Sequence, residues 1–287
     1  MTVKIDNTRA TLPKYGVEKA DVVYEEVVEG GLTRLAAVFN SQAPEKVGSV
    51  RSVRLSDQSI VWPLQGIFAF SGGAPNAEAS IETAPAVKLD ETRAGDTMFR
   101  DSSRRAPDSL YANVSAMYAK CESGAPQPLF KYRPADQPSA GAPVTSATVD
   151  FEAGYDVTWT WNATTGGWDR SLQRGPETTP EGTQVSPQNV VVMKVPYTGG
   201  DTRPQYYMYG AEAQLVGTGE VQVFTDGKVI TGTWTRSAKE QPAQLVDAAG
   251  APILLTPGQT WVEVAQPQYA VNITAPPPPQ STTVPAG

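Results

Sequence analysis

Two apolar-rich runs separated by Gly30-Gly31 dominate the first part of the chain. Val22, Val23, Val27 and Val28 before the glycines, and Leu32, Val38 and Phe39 after them, favour strands. Glycine tolerates the positive φ of tight hairpin turns, so the pattern predicts a hairpin closed by a two-residue turn. That register sets Glu29 opposite Leu32, Val27 opposite Arg34 and Glu25 opposite Ala36. Side chains alternate along a strand, so Glu25, Val27, Glu29 and Arg34 share one face. The other face carries Val22, Tyr24, Val28, Thr33, Leu35, Ala37 and Phe39, with Glu26 the exception. The expectation is one core face and one acidic face, with a Glu25–Arg34 cross-strand ion pair.

The same reading extends along the chain. Val3-Lys4-Ile5 is a short strand ending at Asp6-Asn7, residues that make turns. Ser56 to Trp62 reads as a helix stopped by Pro63. Gly66 to Phe70 is an apolar strand leading through Ser71-Gly72-Gly73 into a helix from Ala77 to Thr83. A further helix is expected from a cap at Asp108 or Ser109, with Leu110, Val114, Met117, Tyr118 and Cys121 on its apolar stripe. Residues 127–145 are rich in Pro, Ala and Gly and read as a linker. Beyond them, Val149 to Leu172 forms a hairpin about Gly166-Gly167, Val190 to Val195 a strand, and Glu220 to Thr235 a hairpin about Asp226-Gly227. A last strand runs to Val264. The predicted class is α+β: a mixed α/β domain over 1–126, an all-β domain over 146–270, and a disordered Pro-rich tail over 271–287. The tryptophans of these strands are expected in the core rather than as a carbohydrate platform.

Composition removes whole classes of chemistry. The 287 residues carry a net charge of −7, which argues against a nucleic-acid partner. There is no histidine, so His-based triads, bases and metal sites are excluded. Cys121 is the single cysteine, which excludes an intrachain disulfide and is expected to be a buried structural thiol. No apolar run approaches the ~18 residues of a membrane span, and no signal-peptide pattern opens the sequence. No cofactor or metal is expected; Asp6 is the weak candidate for a metal ligand.

The remaining candidates are charged. Glu25 and Glu29 would lie about 13 Å apart on a strand, too far for a glycosidase pair at roughly 5–9.5 Å. Arg51 and Arg54, if a helix starts near Ser49 or Ser52, share one side of it and suit a phosphate or carboxylate, or pair with the hairpin glutamates, two readings that are compatible. Gly72-Gly73 between a buried strand and a helix could offer backbone N–H groups to an anion. Arg104 and Arg105 form a second basic cluster.

Several of these motifs occur in a recognisable order. Val3-Lys4-Ile5-Asp6-Asn7, Ala20-Asp21-Val22-Val23-Tyr24-Glu25, Glu29-Gly30-Gly31-Leu32-Thr33-Arg34 and Val50-Arg51-Ser52-Val53-Arg54 resemble the YerB-like family of bacterial lipoproteins, labelled domain of unknown function 3048. The likeness continues through Gly72-Gly73 and Arg105-Ala106-Pro107-Asp108-Ser109-Leu110-Tyr111, and covers the β-rich half. Where that family commonly has histidine before the Gly-Gly and after the Ala-Pro, this chain has Ser71 and Asp108, so an activity needing them would be absent. The resemblance implies an exported, lipid-anchored precursor, extracytoplasmic and touching the membrane only through its anchor, or secreted.

The expected function is envelope binding of a phosphate- or carboxylate-bearing ligand through Glu25, Glu29, Arg34, Arg51, Arg54, Gly72, Gly73, Arg105 and Tyr111. The alternatives are a histidine-independent hydrolase of a glycan or phosphoester using Glu25, and a structural or assembly lipoprotein with an envelope protein as partner.

Overall fold

Strands from the two halves of the chain lie side by side in one sheet. The structure, a computed structural model, describes residues 1–120, 126–152, 155–198 and 210–277. The main elements of the N-terminal half are β1 (Thr2–Asp6), β2 (Val22–Val27), β3 (Thr33–Val38), α1 (Leu55–Val61), β4 (Ile67–Ala69), α2 (Pro75–Glu82), β5 (Val87–Leu89), α3 (Glu91–Ala94) and α4 (Val114–Tyr118). Those of the C-terminal half are β6 (Ser146–Glu152), β7 (Tyr155–Asn162), β8 (Gly167–Leu172), β9 (Asn189–Lys194), β10 (Gly217–Thr225), β11 (Lys228–Arg236), β12 (Gln244–Asp247), β13 (Thr260–Ala265) and β14 (Val271–Thr274). The architecture is α+β, mixed in the first half and strand-rich in the second.

The large sheet runs β11–β10–β9–β13–β2–β3–β1–β4–β5, with Ala142–Pro143 and β12 both paired to β11. The halves join where β2 pairs in parallel with β13, Val22 opposite Thr260 and Glu25 opposite Glu263. A second sheet, Gly175–Pro176, β8, β7, β6 and β14, packs over one face of this centre. Val23, Val27 and Leu35 meet Val149, Trp159 and Trp168 there. On the opposite face Val22, Ala36 and Val38 join a core with Val191, Val223 and Trp234. Strands covered on both faces read as apolar runs without strict alternation, which is what Val22-Val23 and Val190–Val192 display. Trp159, Trp168, Trp234 and Trp261 are fully buried.

Several expectations change in this frame. The β2–β3 loop has three residues, Glu29–Gly31, with Gly30 and Gly31 at φ 75° and 69°, a region that costs other residues strain. The register moves by one: Glu26 faces Arg34 and Glu25 faces Leu35. Arg34 therefore lies on the Glu26 side, and there is no Glu25–Arg34 pair. The expected acidic solvent face does not form, because Glu25 and Glu26 are both fully buried. Leu110–Ala112 is a strand, and α4 begins after Asn113, whose side chain caps it by accepting from Ala116 N at 2.9 Å. Lys131–Tyr132 and Ala142–Pro143, in the expected linker, form short paired strands. Val271–Thr274, expected in the tail, pairs with β6 as β14. Cys121 and residues 278–287 lie outside the described residues. The Asp226-Gly227 hairpin forms as the pattern predicts, with Thr225 opposite Lys228 and both turn residues at positive φ.

Candidate functional site at the carboxyl ends of the central strands

β1, β2 and β4 run parallel and end at one edge of the sheet, the edge where open α/β sheets bind ligands. β1 and β4 pair only at Thr2–Phe68 and Val3–Ala69, and then diverge. The extended segment 49–53 fills the gap. Its Arg51 amide donates to Lys4 O at 2.9 Å, and Asp6 N and Ser71 N donate to Ser49 O and Arg51 O, each at 2.9 Å. Val53 N donates to Gly72 O at 2.9 Å, and a Cβ on Gly73 would lie 2.6 Å from Val53 Cγ1, so the glycine permits this approach. Arg51 and Arg54 thus precede α1 in extended backbone instead of sharing a helix face. Arg54 is the N-cap residue.

The charges meet here. Arg51 Nε lies 2.7 Å from Asp6 Oδ2, and its Nη2 reaches Asp108 Oδ1. Asp108, expected at a helix start, serves this arginine instead. Arg54 Nε lies 2.9 Å from Glu29 Oε2. Burial pushes the Asp6 carboxyl up, but hydrogen bonds from Thr8 and the Arg51 guanidinium outweigh it and hold the group below its ordinary value. Both Asp6 oxygens are engaged, Oδ1 by Thr8 N at 2.6 Å and Oδ2 by Arg51.

Arg34 is the exception. Among the described residues it has no carboxylate partner; its Nη1 reaches only Ser52 O at 3.3 Å. Burial, then the neighbouring Arg54 charge, bring its pKa down to about 10. Asp6 and Glu29 act on it from nearby, but their oxygens bond Arg51 and Arg54, so the Arg34 guanidinium keeps donors that a bound anion could accept.

The other sequence candidates are placed differently. Arg105 is exposed, and no side-chain contact ties it to the cluster among the described residues. Tyr111 is fully buried, edge-on to Tyr15 at 5.4 Å, and supports the loop from within.

Glu25 belongs to a buried network behind the site. Its Oε1 accepts from Asn7 Nδ2 at 2.8 Å and Thr33 Oγ1 at 2.7 Å; its Oε2 accepts from Arg170 Nη2 at 2.7 Å and Trp261 Nε1 at 3.2 Å. Arg170 also pairs with Glu177, which Lys14 meets at 2.5 Å, and its guanidinium lies 4.7 Å from the Trp261 ring centroid. Burial, then the adjacent Glu25, push the Glu263 carboxyl well up. Glu25 is closed to solvent and saturated, an arrangement that ties the halves together rather than one that meets a substrate.

A second buried group, Lys4 between Glu26 and Asp57, lies under the site, and Asp57 Oδ2 accepts the Arg54 amide at 2.7 Å. Burial, then Asp57, raise the Glu26 pKa to about 7. Sequence reading missed Lys4, Lys14, Asp57, Arg170, Glu177 and Glu263. Arg170 had one signal: alternation puts it on the Trp168 face.

Comparisons with known proteins cover most of the chain. The model described as "Protein of unknown function (DUF3048) N-terminal domain" matches residues 1–127, and its C-terminal counterpart matches residues 147–262. The chain is 24% identical over 286 residues to "Putative lipoprotein YerB" of Bacillus subtilis (strain 168), covering 95% of this chain and 83% of that protein. The crystal structure of the YerB protein from Bacillus subtilis superposes with a TM-score of 0.79 at 21% identity, covering 95% of this chain and 93% of the other, which establishes a shared fold.

Proposed function

The chain belongs to the DUF3048 family of proteins of unknown function, and on that footing we propose that it is an extracytoplasmic envelope protein that binds an anionic group. The envelope location rests on the relative named as a lipoprotein. The ligand is a phosphate or carboxylate, bound at the carboxyl ends of β1, β2 and β4. One observation supports this reading: among the described residues Arg34 sits beside Arg51 and Arg54 with a single backbone carbonyl as hydrogen-bond partner, while Asp6 and Glu29, close enough to act on its charge, bond the other two arginines. Arg34 would take the anion in a bidentate bond. Arg51 and Arg54, held in place by Asp6, Asp108 and Glu29, add field without moving.

The test is thermal unfolding of the protein and of Arg34→Gln with inorganic phosphate and glycerol 3-phosphate. Ligand bound only by the folded state stabilises it, by about 2.7 kcal/mol at a hundred times Kd. A higher midpoint is expected for the native sequence and not for Arg34→Gln. Equal shifts in both proteins, or none in either, refute the site.

A further inference from the structure

The amino ends of the central strands frame a second cleft of opposite chemistry. Asp21 immediately precedes β2, Gln188 precedes β9 and Gln259 precedes β13. Between them opens a cleft of about 550 Å³, lined from the N-terminal half by Glu18, Asp21 and Gln42 and from the C-terminal half by Tyr132 and Gln188. Its volume falls within the roughly 300–1,000 Å³ of ligand sites. Among the described residues no lysine or arginine lines it.

The groups there are arranged and partly unspent. Asp21 Oδ2 accepts from Asn40 N at 2.6 Å and Ser41 N at 3.0 Å, which fixes the carboxylate and leaves Oδ1 without a partner among the described residues. Glu18 is half-buried on the cleft wall. Gln188 Oε1 accepts from Gln259 N at 2.9 Å, which orients its amide and leaves Nε2 to donate. Gln42 is exposed. Tyr132 is 44% exposed, so one aromatic side chain is available on the wall.

Each ligand class meets this set differently. An anion faces two carboxylates and no cation. An apolar ligand would strip water from carboxylates and amides without replacing it. A cation would satisfy Asp21 and Glu18 but leave the Gln42 and Gln188 donors unused. A sugar supplies hydroxyl donors to the carboxylates, acceptors to the amides, and a C–H face to an aromatic ring. We infer that this cleft binds a neutral glycan segment, with a sugar ring against Tyr132 and its hydroxyls bonded to Asp21, Glu18, Gln42 and Gln188. The site is separate from the arginine cluster, since β2, about 20 Å long at roughly 3.3 Å per residue, runs between the two.

Saturation-transfer NMR on the full chain tests this with three neutral trisaccharides: cellotriose, maltotriose and N,N′,N″-triacetylchitotriose. Transfer from at least one is expected, undiminished by inorganic phosphate. Tyr132→Ala should weaken binding about tenfold, equivalent to about 1.4 kcal/mol, and Gln42→Ala, at an exposed position, should weaken it without lowering the melting midpoint. No transfer from any of the three overturns the inference. So does transfer that survives both substitutions, which would put the sugar elsewhere, or binding of putrescine in place of any sugar.

Discussion

Replacing Arg170 with Met tests whether the buried charges hold the two halves together. Methionine keeps an unbranched apolar chain in the space beside Trp261, so the change removes mainly the guanidinium. Arg170 Nη2 leaves Glu25 and Nη1 leaves Glu177. All three residues are 0–3% exposed, so water does not replace the lost bonds. Removing one partner of a buried pair costs about 3–5 kcal/mol, because the other charge stays buried. Two features set the value within that range. Glu177 keeps Lys14 at 2.5 Å, and Glu25 keeps the Asn7, Thr33 and Trp261 donors. The expected loss is therefore about 3 kcal/mol, near the lower end. Glu25→Gln should cost less, since an amide oxygen can still accept. The double variant should fall short of the sum of the singles by about 1–3 kcal/mol, as for groups in one network. Urea unfolding followed by tryptophan fluorescence measures all three, because Trp159 and Trp261 flank the network. A loss under about 1 kcal/mol for Arg170→Met, or strict additivity in the double variant, refutes the argument.

Three further outcomes follow from the same geometry. Glu26 titrates near 7 in the folded protein against an ordinary value near 4.5, so its contribution is fully present below pH 4.5 and is lost as the pH rises through 7, by at most about 3 kcal/mol; Glu26→Gln should flatten the stability profile over that window, and an unchanged slope in urea midpoints would count against the assignment. Gly227→Ala should cost about 1–2 kcal/mol in thermal or urea unfolding, because φ is 67° and an added Cβ would lie 2.7 Å from Trp161 Nε1. A fragment of residues 1–126 should fail to give a dispersed amide NMR spectrum, because β2 would lose β13 and Glu25 would lose Arg170.

Local pattern revealed elements better than neighbours. Strand-forming valines and the Asp226-Gly227 turn announced their hairpins, because turn chemistry and alternation are written within a few residues. The β2–β3 register differed because two adjacent glycines fit a three-residue loop as well as a two-residue turn, and one residue of slip exchanges the faces. Leu110–Ala112 read as helix because Leu110, Val114, Met117 and Tyr118 keep helical spacing across a strand and a cap. The candidate site was partly legible: Arg34, Arg51, Arg54, Glu29 and Asp6 do converge, and Arg54 pairs with a hairpin glutamate, although Asp6 and Asp108 as the partners of Arg51 were not foreseen. The β2–β13 pairing has no local signature, since nothing near Val22 names Thr260. For the same reason Glu25 read as a surface acid, its partner lying on a strand of the other half.

That pairing also sets the order in which the molecule can be completed. A nascent chain delivers β1, β2 and β3 by Val38, yet the strand that closes the open side of β2 starts only at Thr260. Until then Val22 and Val23 present an unpaired edge, the kind that recruits other strands. Loop closure over such a separation is slow. The centre of the sheet, not its rim, is therefore the last part to form. A chain cut anywhere upstream of Thr260 is left open through its middle, and a holding chaperone would have most to protect at residues 22–27.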